Sequence, residues 1–273
     1  MIATKLLSWV RTEVIFKCVI KQSFFFDLDG TLLTDDQQIL PSSVSAIHTL
    51  QANHIVPVIC TGRNMKEIQS IIEITGIDTL ITENGSYIKH HQTIRIENIR
   101  KKVIKELVDM ANKLGDAVGF RNAINVAVTK INKYTRKCYG GYFKWAKVDP
   151  YFYLKSPINF LNVFTDGSDV QQYRNAFAGK LSITHNDPHV LDINRYGVSK
   201  ATGIQDVLND FHWTHLPTYC FGDAANDVPM FKKVKHSIAM ANADDECKQE
   251  AEYVTDSNND NGIAHALHHF NLI

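Results

Sequence analysis

An excess of charge of either sign is missing from this 273-residue sequence: Lys+Arg and Asp+Glu number 29 each, and the formal net charge is zero. A surface so balanced has no electrostatic footprint for nucleic acid or an anionic membrane, so the expected partner is a small molecule and neither of those. A long apolar run is missing too. Residues 1–22 come nearest, with Leu6, Leu7, Trp9, Val10, Val14, Ile15 and Phe16, but Arg11, Glu13 and Lys17 interrupt them, and neither a signal-peptide core nor a membrane span fits. This opening segment reads as an N-terminal extension without an assignable role. The five cysteines (Cys18, Cys60, Cys138, Cys220, Cys247) are odd in number, scattered and free of C-x-x-C spacing. That argues against a disulfide framework or a structural zinc site and for a reduced, cytoplasmic protein. Internal repeats, low-complexity tracts and long linkers are also absent, and the length suits two modest domains.

What is present centres on Phe24-Phe25-Phe26-Asp27-Leu28-Asp29-Gly30-Thr31-Leu32-Leu33. Three consecutive aromatics need cover on both faces, as in a central parallel strand, and the run stops at two carboxylates one residue apart. If the strand continued, Asp27 and Asp29 would point the same way, with Gly30 permitting a sharp turn behind them. Two acids facing one point repel unless a cation or a proton lies between them. An acidic turn at a strand end is one reading. A calcium loop fails on spacing, because Thr31 and Leu32 stand where an acid or amide and a glycine are needed.

The same strand, polar loop and helix recur down the chain. Pro41-Ser42 opens a helix carrying Val44, Ile47 and Leu50; Ile55–Cys60 is a strand that stops at Thr61-Gly62-Arg63; Ile68, Ile71 and Ile72 resume a helix; Thr79-Leu80-Ile81 closes on Thr82-Glu83-Asn84-Gly85. Repeated units of this kind imply an α/β fold with a doubly wound, Rossmann-like parallel sheet, whose ligands sit beyond the carboxyl ends of the strands. From about residue 87 the pattern changes to hairpin spacing, and strand-like runs follow at 125–129, 158–165, 181–184 and 190–193. This predicts an inserted α+β cap domain over 87–187, with the core formed by 1–86 and 188–273. After the insertion come an amphipathic helix (Ile204, Val207, Leu208, Phe211) with Lys200 in its first turn, and then the strand 218–221, which runs straight into Gly222-Asp223-Ala224-Ala225-Asn226-Asp227.

Each of these sites has a plain structural reading: Thr61 as a helix cap, Lys200 as a solvated lysine, Gly222–Asp227 as a polar turn. Their order is more telling. Paired acids, a threonine, a lysine after a large insertion and then G-D-x-x-N-D resemble, in sequence, the four motifs of the haloacid dehalogenase-like hydrolases. The insertion between the second and third motifs, Ile81-Thr82-Glu83-Asn84-Gly85 before it and Ala239-Met240-Ala241-Asn242-Ala243 near the end resemble the Cof-type subclass IIB of that family.

The resemblance implies a Mg2+-dependent phosphatase that acts on small phosphorylated metabolites, sugar phosphates or phosphorylated cofactors, through an aspartyl-phosphate. By matching position Asp27 is its nucleophile and Asp29 its general acid and base. Mg2+ is held by the Asp27 carboxylate, the Asp29 backbone carbonyl and Asp223, with Asp227 as a further carboxylate. Thr61, Gly62, Lys200 and Asn226 bind the phosphoryl group, while Arg63, Asn84 and His189 are placed to touch the rest of the substrate, as are His185, Asn186 and Asp192. A phosphomutase or glycosyl-phosphate phosphatase of the same subclass is the alternative, a mutase being marked by its need for a bisphosphate activator. A catalytically idle binding protein would have no physical use for the whole set. The pair His90-His91 and the tail histidines His265, His268 and His269 lack the acid partners of a zinc site and read as solvated or packing residues.

Overall fold

Three adjacent phenylalanines must be covered on both sides, and in the structure, a computed structural model that describes residues 20–142 and 146–273, all three are fully buried. Most of the 1–22 extension, Cys18 included, lies outside the described residues. The chain begins with β1 (Gln22–Phe26), α1 (Pro41–Ala52), β2 (Ile55–Cys60), α2 (Gln69–Thr75), β3 (Thr79–Thr82), a tight turn at Glu83–Gly85, and the hairpin β4 (Tyr87–His90) and β5 (Thr93–Ile96). A second module follows: α3 (Lys101–Leu114), β6 (Ala117–Arg121), β7 (Val126–Val128), α4 (Lys133–Tyr142), β8 (Lys147–Val148), α5 (Phe152–Lys155), β9 (Phe160–Phe164), α6 (Val170–Ala176), β10 (Leu181–Asp187) and β11 (Val190–Arg195). The chain then returns through α7 (Lys200–Asp210), β12 (Thr218–Gly222), α8 (Val228–Phe231), β13 (His236–Ala239), α9 (Asp245–Glu250), β14 (Tyr253–Val254) and α10 (Gly262–His269).

The core sheet has the order β14-β13-β12-β1-β2-β3-β4-β5, parallel from β14 to β3 and antiparallel through the final hairpin. Side chains alternate along β1, so Phe24 and Phe26 enter one apolar layer with Ile47, Leu50 and Leu267 from α1 and α10. Phe25 enters the opposite layer, with Ile204 and Val207 from α7. Phe24 stacks on Tyr219 at 4.3 Å and Phe26 on Phe221 at 5.1 Å between ring centroids, which ties β1 to β12. Each buried phenylalanine contributes about 2–3 kcal/mol by removal from water, so the strand that carries the acids is firmly seated in the sheet.

The second module is a sheet of order β10-β11-β9-β6-β7-β8 covered by α3, whose Ile104, Leu107 and Val108 pack on Val118, Phe120, Leu161 and Leu191. Its limits differ from the expected 87 and 187 at both ends. The β4–β5 hairpin joins the core sheet, because the four-residue connection 83–86 after β3 returns β4 directly alongside it, in register from Thr82↔Tyr87 to Thr79↔His90. At the other end β11 belongs to the module, paired antiparallel with both β9 and β10, and its Leu191 and Ile193 are fully buried there. The chain therefore crosses between the two sheets near residues 97–100 and 196–199. Among the described residues no helix is long and apolar enough to cross a membrane.

Candidate functional site

Four adjacent parallel strands, β12, β1, β2 and β3, end at one edge of the core sheet, and the residues that follow them are Asp223, Asp27, Thr61 and Glu83-Asn84. They converge on an open cavity of about 540 Å³ whose lining also includes Arg121, Phe160 and Asp192 of the second module. Asp27, Asp29, Thr61, Gly62, Arg63, Asn84, Lys200, Asp223 and Asn226 all line it.

Lys200 stands at the first position of α7, where Ser199 caps the helix: the Ser199 hydroxyl accepts from Thr202 N–H and the Thr202 hydroxyl from Ser199 N–H. From that fixed start its ammonium donates to Asp27 Oδ1 at 2.6 Å and Asp227 Oδ1 at 2.8 Å, with the side chain 2% exposed. Burial opposes the charge on Lys200, but the Asp227 and Asp27 carboxylates outweigh it and hold its pKa well above the ordinary lysine value. Asp27 is pushed upward by burial and by the Asp227 charge, with Lys200 offsetting only part. Burial also raises Asp223, to about 6, while the Thr31 hydroxyl donating to it at 2.7 Å pulls the other way. Asp227 is fully buried and accepts the amides of Asp223 and Ala224 at 3.1 and 3.3 Å as well as the ammonium. Carboxylate oxygens of Asp27, Asp223 and Asp227 lie within 4.8 Å of one another while the Lys200 ammonium bonds only Asp27 and Asp227, so the cluster has room, in charge, for a cation. Gly30 makes the approach possible: its φ is +73°, and a Cβ there would stand 2.3 Å from Asp223 Oδ2.

The two acids of the first motif part company. The strand ends at Phe26 and a turn begins, with Thr31 N–H donating to Leu28 O at 3.2 Å. The conditional expectation of parallel carboxylates therefore gives way to divergence: Asp27 points down onto Lys200, while Asp29 stays at the half-open rim. There Arg63 grips it with a fork, Nε to Oδ2 at 2.9 Å and Nη2 to Oδ1 at 2.5 Å, and the same guanidinium also bonds Gln37. Thr61 accepts Arg63 N–H on its hydroxyl oxygen at 3.1 Å, leaving its own proton available for donation. Asn84 and Asn226 each carry a buried side-chain oxygen without a partner.

Asn84 belongs to a turn in which Glu83, Asn84 and Gly85 all have positive φ, at 52°, 52° and 96°. For the two non-glycine residues that costs roughly 1–2 kcal/mol apiece, and at Gly85 a Cβ would collide with Ser199 O at 2.2 Å. The expense is met by burial of the turn between core and module. Arg121, Phe160, Gln37 and Glu67 also line the cavity and were not anticipated. Arg121 lies over the Phe160 ring at 5.3 Å and forms a buried ion pair with Glu67 across the two modules. Its position at the end of a strand was the one available signal, and β6 itself was not foreseen. Asp192 is brought in as expected, held by Asn162 Nδ2 at 2.7 Å and raised to about 6 by burial.

His185 and His189, expected to touch substrate, are not among the residues lining the cavity; His189 sits in the β10–β11 turn and stacks on Tyr134 at 4.9 Å. Of the other histidines, His91 does have an acid partner in Asp78 at 2.7 Å, and His265 has Asp256 at 2.5 Å. These are single pairs, and the Asp27, Asp223 and Asp227 group is the cluster of three that the described residues offer a metal.

The family model of the haloacid dehalogenase-like hydrolases matches residues 24–267. Among curated proteins, the chain is 28% identical to the 5-amino-6-(5-phospho-D-ribitylamino)uracil phosphatase YcsE of Bacillus subtilis over 249 residues, 90% of this chain and 94% of that one. It is 26% identical to the pyridoxal phosphate phosphatase YbhA of Escherichia coli over 277 residues, 89% and 96% of the two chains. Among solved structures, a phosphatase of the haloalkanoate enzyme superfamily from Bacteroides thetaiotaomicron superposes with a TM-score of 0.84 at 25% identity, covering 99% of this chain and 100% of that one. A subclass IIB sugar phosphatase at 24% identity, with a TM-score of 0.83 over 92% and 100% of the chains, shares the fold.

Proposed function

The chain belongs to the haloacid dehalogenase-like hydrolases, and from that premise we propose that it is a Cof-type phosphatase that hydrolyses small phosphorylated metabolites through an aspartyl-phosphate on Asp27, with Mg2+ at the acidic cluster. The observation that carries this reading is the Asp27 carboxylate at the cavity floor, one oxygen clamped by Lys200 at 2.6 Å and the other left for attack. A buried carboxylate held by an ammonium is oriented but not consumed, which suits a nucleophile.

Asp27 Oδ2 attacks phosphorus, the bond to the ester oxygen breaks, and that oxygen leaves with a proton from Asp29. Water then attacks the same phosphorus, giving its proton to Asp29, and phosphate departs as the Asp27 carboxylate re-forms. Throughout, Thr61, the Gly62 amide, Lys200 and Asn226 hold the phosphoryl oxygens. Asp29 must first leave the Arg63 fork, and a dianion arriving beside that guanidinium competes for it. Three carboxylates around one ammonium fit a hard divalent ion held by Asp27, Asp223 and the Asp29 carbonyl; when bound, it offsets charge on the phosphoryl oxygens. Asp227, bonded to Lys200 and two amides, keeps Lys200 and the Asp223 backbone in place and stands as a further carboxylate beside the ion.

The remainder of the substrate faces Arg121, Asp192, Asn84 and Gln37. Relatives named for a phosphorylated ribitylaminouracil and for pyridoxal phosphate support metabolites of that size, which a cavity of about 540 Å³ admits. The test is phosphate release from p-nitrophenyl phosphate with Mg2+ or with chelator, for the wild type and Asp27→Asn. Activity is expected only for the wild type with Mg2+; turnover by Asp27→Asn would sink the covalent route.

A further inference from the structure

Glu83 is a fully buried acid at the seam between core and module, and the chemistry above makes no use of it. Its carboxyl oxygen Oε2 accepts a close hydrogen bond from Asn159 Nδ2 of the module, while Oε1 is buried with no partner. Its backbone carbonyl accepts from Asn194 Nδ2 at 2.8 Å, and that same amide also donates to Ser86 Oγ at 2.7 Å. Asn159 and Asn194 lie at the core-facing ends of the module's strands, so one residue of the core touches the module at two points.

We propose that Glu83 is a positioning residue whose carboxyl, wedged between core and module, keeps the module seated over the cavity when neutral and loosens it when ionised. The geometry is that of a group short of donors. An ionised carboxylate accepts at both oxygens, and here one oxygen has a single amide and the other has nothing. The charged groups facing it are few: Arg121 of β6 favours the ionised form, Glu67 ahead of α2 opposes it, and Tyr87 of β4 is itself raised by burial and by the Glu83 charge. Arg121 is already bonded to Glu67, so its help is divided. Burial prevails and lifts Glu83 to about 7.

The sign follows. A carboxyl raised above its ordinary value favours the closed seam below that value and penalises it above, because a module lifted off the core would hydrate the charge. Closure should weaken by up to about tenfold per pH unit as the pH rises from the ordinary carboxyl value of 4.5 to about 7, and level off above that. The rest of the seam is modest and polar, including Asn64 Nδ2 to Asn122 O at 3.4 Å and Lys66 N to Ala123 O at 3.3 Å, the sort of contact across which domains move. Lifting the module carries Arg121, Phe160 and Asp192 away from the strand ends, so the seam sets how completely the cavity is formed.

Small-angle X-ray scattering of the full chain without substrate, from roughly pH 5 to pH 8, tests this independently of any activity. The wild type is expected to expand as the pH rises from about 5 to 7 and to change no further above that, and Glu83→Gln, a neutral isostere, to keep one radius of gyration throughout. A wild type of constant size, or a Glu83→Gln protein that expands in the same way, overturns the proposal. Should Glu83→Gln fail to fold, Asn159→Leu serves instead: it removes the donor that favours the ionised form, so the expansion should grow, and an unchanged or smaller expansion overturns the proposal.

Discussion

Replacing Lys200 with methionine removes the ammonium that Asp27 and Asp227 share, while retaining the length and much of the volume of the stem. Both partners are buried, Asp227 completely and Asp27 to 6% exposure, so neither carboxylate can recover its lost counter-charge from water. Breaking a buried pair in this way costs about 3–5 kcal/mol. At about 2–4 °C per kcal/mol for a chain of this size, the melting temperature should fall by roughly 6–20 °C. Active-site residues are often held at the expense of stability, and removing one can stabilise; here two uncompensated acids remain, so loss should win. The pH dependence has a definite sign. Asp27 and Asp223 already have raised native values, so the deficit should be largest above neutrality and shrink as the pH falls and the acids take up protons. Millimolar Mg2+, by supplying the missing charge, should recover part of the deficit through binding to the folded form. Calorimetric melts of both proteins at several pH values, with Mg2+ and with chelator, read all of this. A Lys200→Met protein that melts with the wild type at pH 8 in chelator would refute the view that this ammonium neutralises the cluster.

With Asp29→Ala, a substrate with a good leaving group should still phosphorylate Asp27, but water would lack its base, so hydroxylamine-labile phosphoenzyme should accumulate in rapid-quench experiments; its absence would count against the double role of Asp29. Asp192→Ala removes a charged acceptor from the module wall, and the ratio of kcat/KM for hydroxylated sugar phosphates to that for p-nitrophenyl phosphate should fall about tenfold or more. An unaltered ratio would place discrimination in core residues such as Arg63 and Asn84.

Much of the core was legible because its signals are local. Phe24–Phe26 say strand by composition, Asp27 follows them without a gap, and the same contiguity marks Thr61 after Cys60 and Asp223 after Gly222. Partnership is not local. The hairpin 87–96 reads equally well in either sheet, and only the short turn at 83–85 decides that β4 returns along β3. The assignment of β11 rests on Leu191 and Ile193 meeting β9, thirty residues upstream, for which the sequence has no mark. Arg121, Phe160 and Glu67 escaped notice for the same reason, since each reaches the cavity from a different element. Where Asp29 points is decided by the turn that starts at Leu28 and by the fork of Arg63, neither of which the residues beside it mark.

Glu97, just past β5, and Arg195, the last residue of β11, form an ion pair. The chain thus enters and leaves the second module at neighbouring points, and to the core the whole intervening segment is a short, already closed loop. Closure of even a long loop costs little more than closure of a short one, and a segment whose ends meet adds less still. A module of this kind is a detachable part: another with the same end-to-end spacing would fit between Glu97 and the start of α7 without moving Asp27, Lys200 or Asp223. A lineage could therefore exchange one wall of the cavity while inheriting the cluster at its floor unchanged.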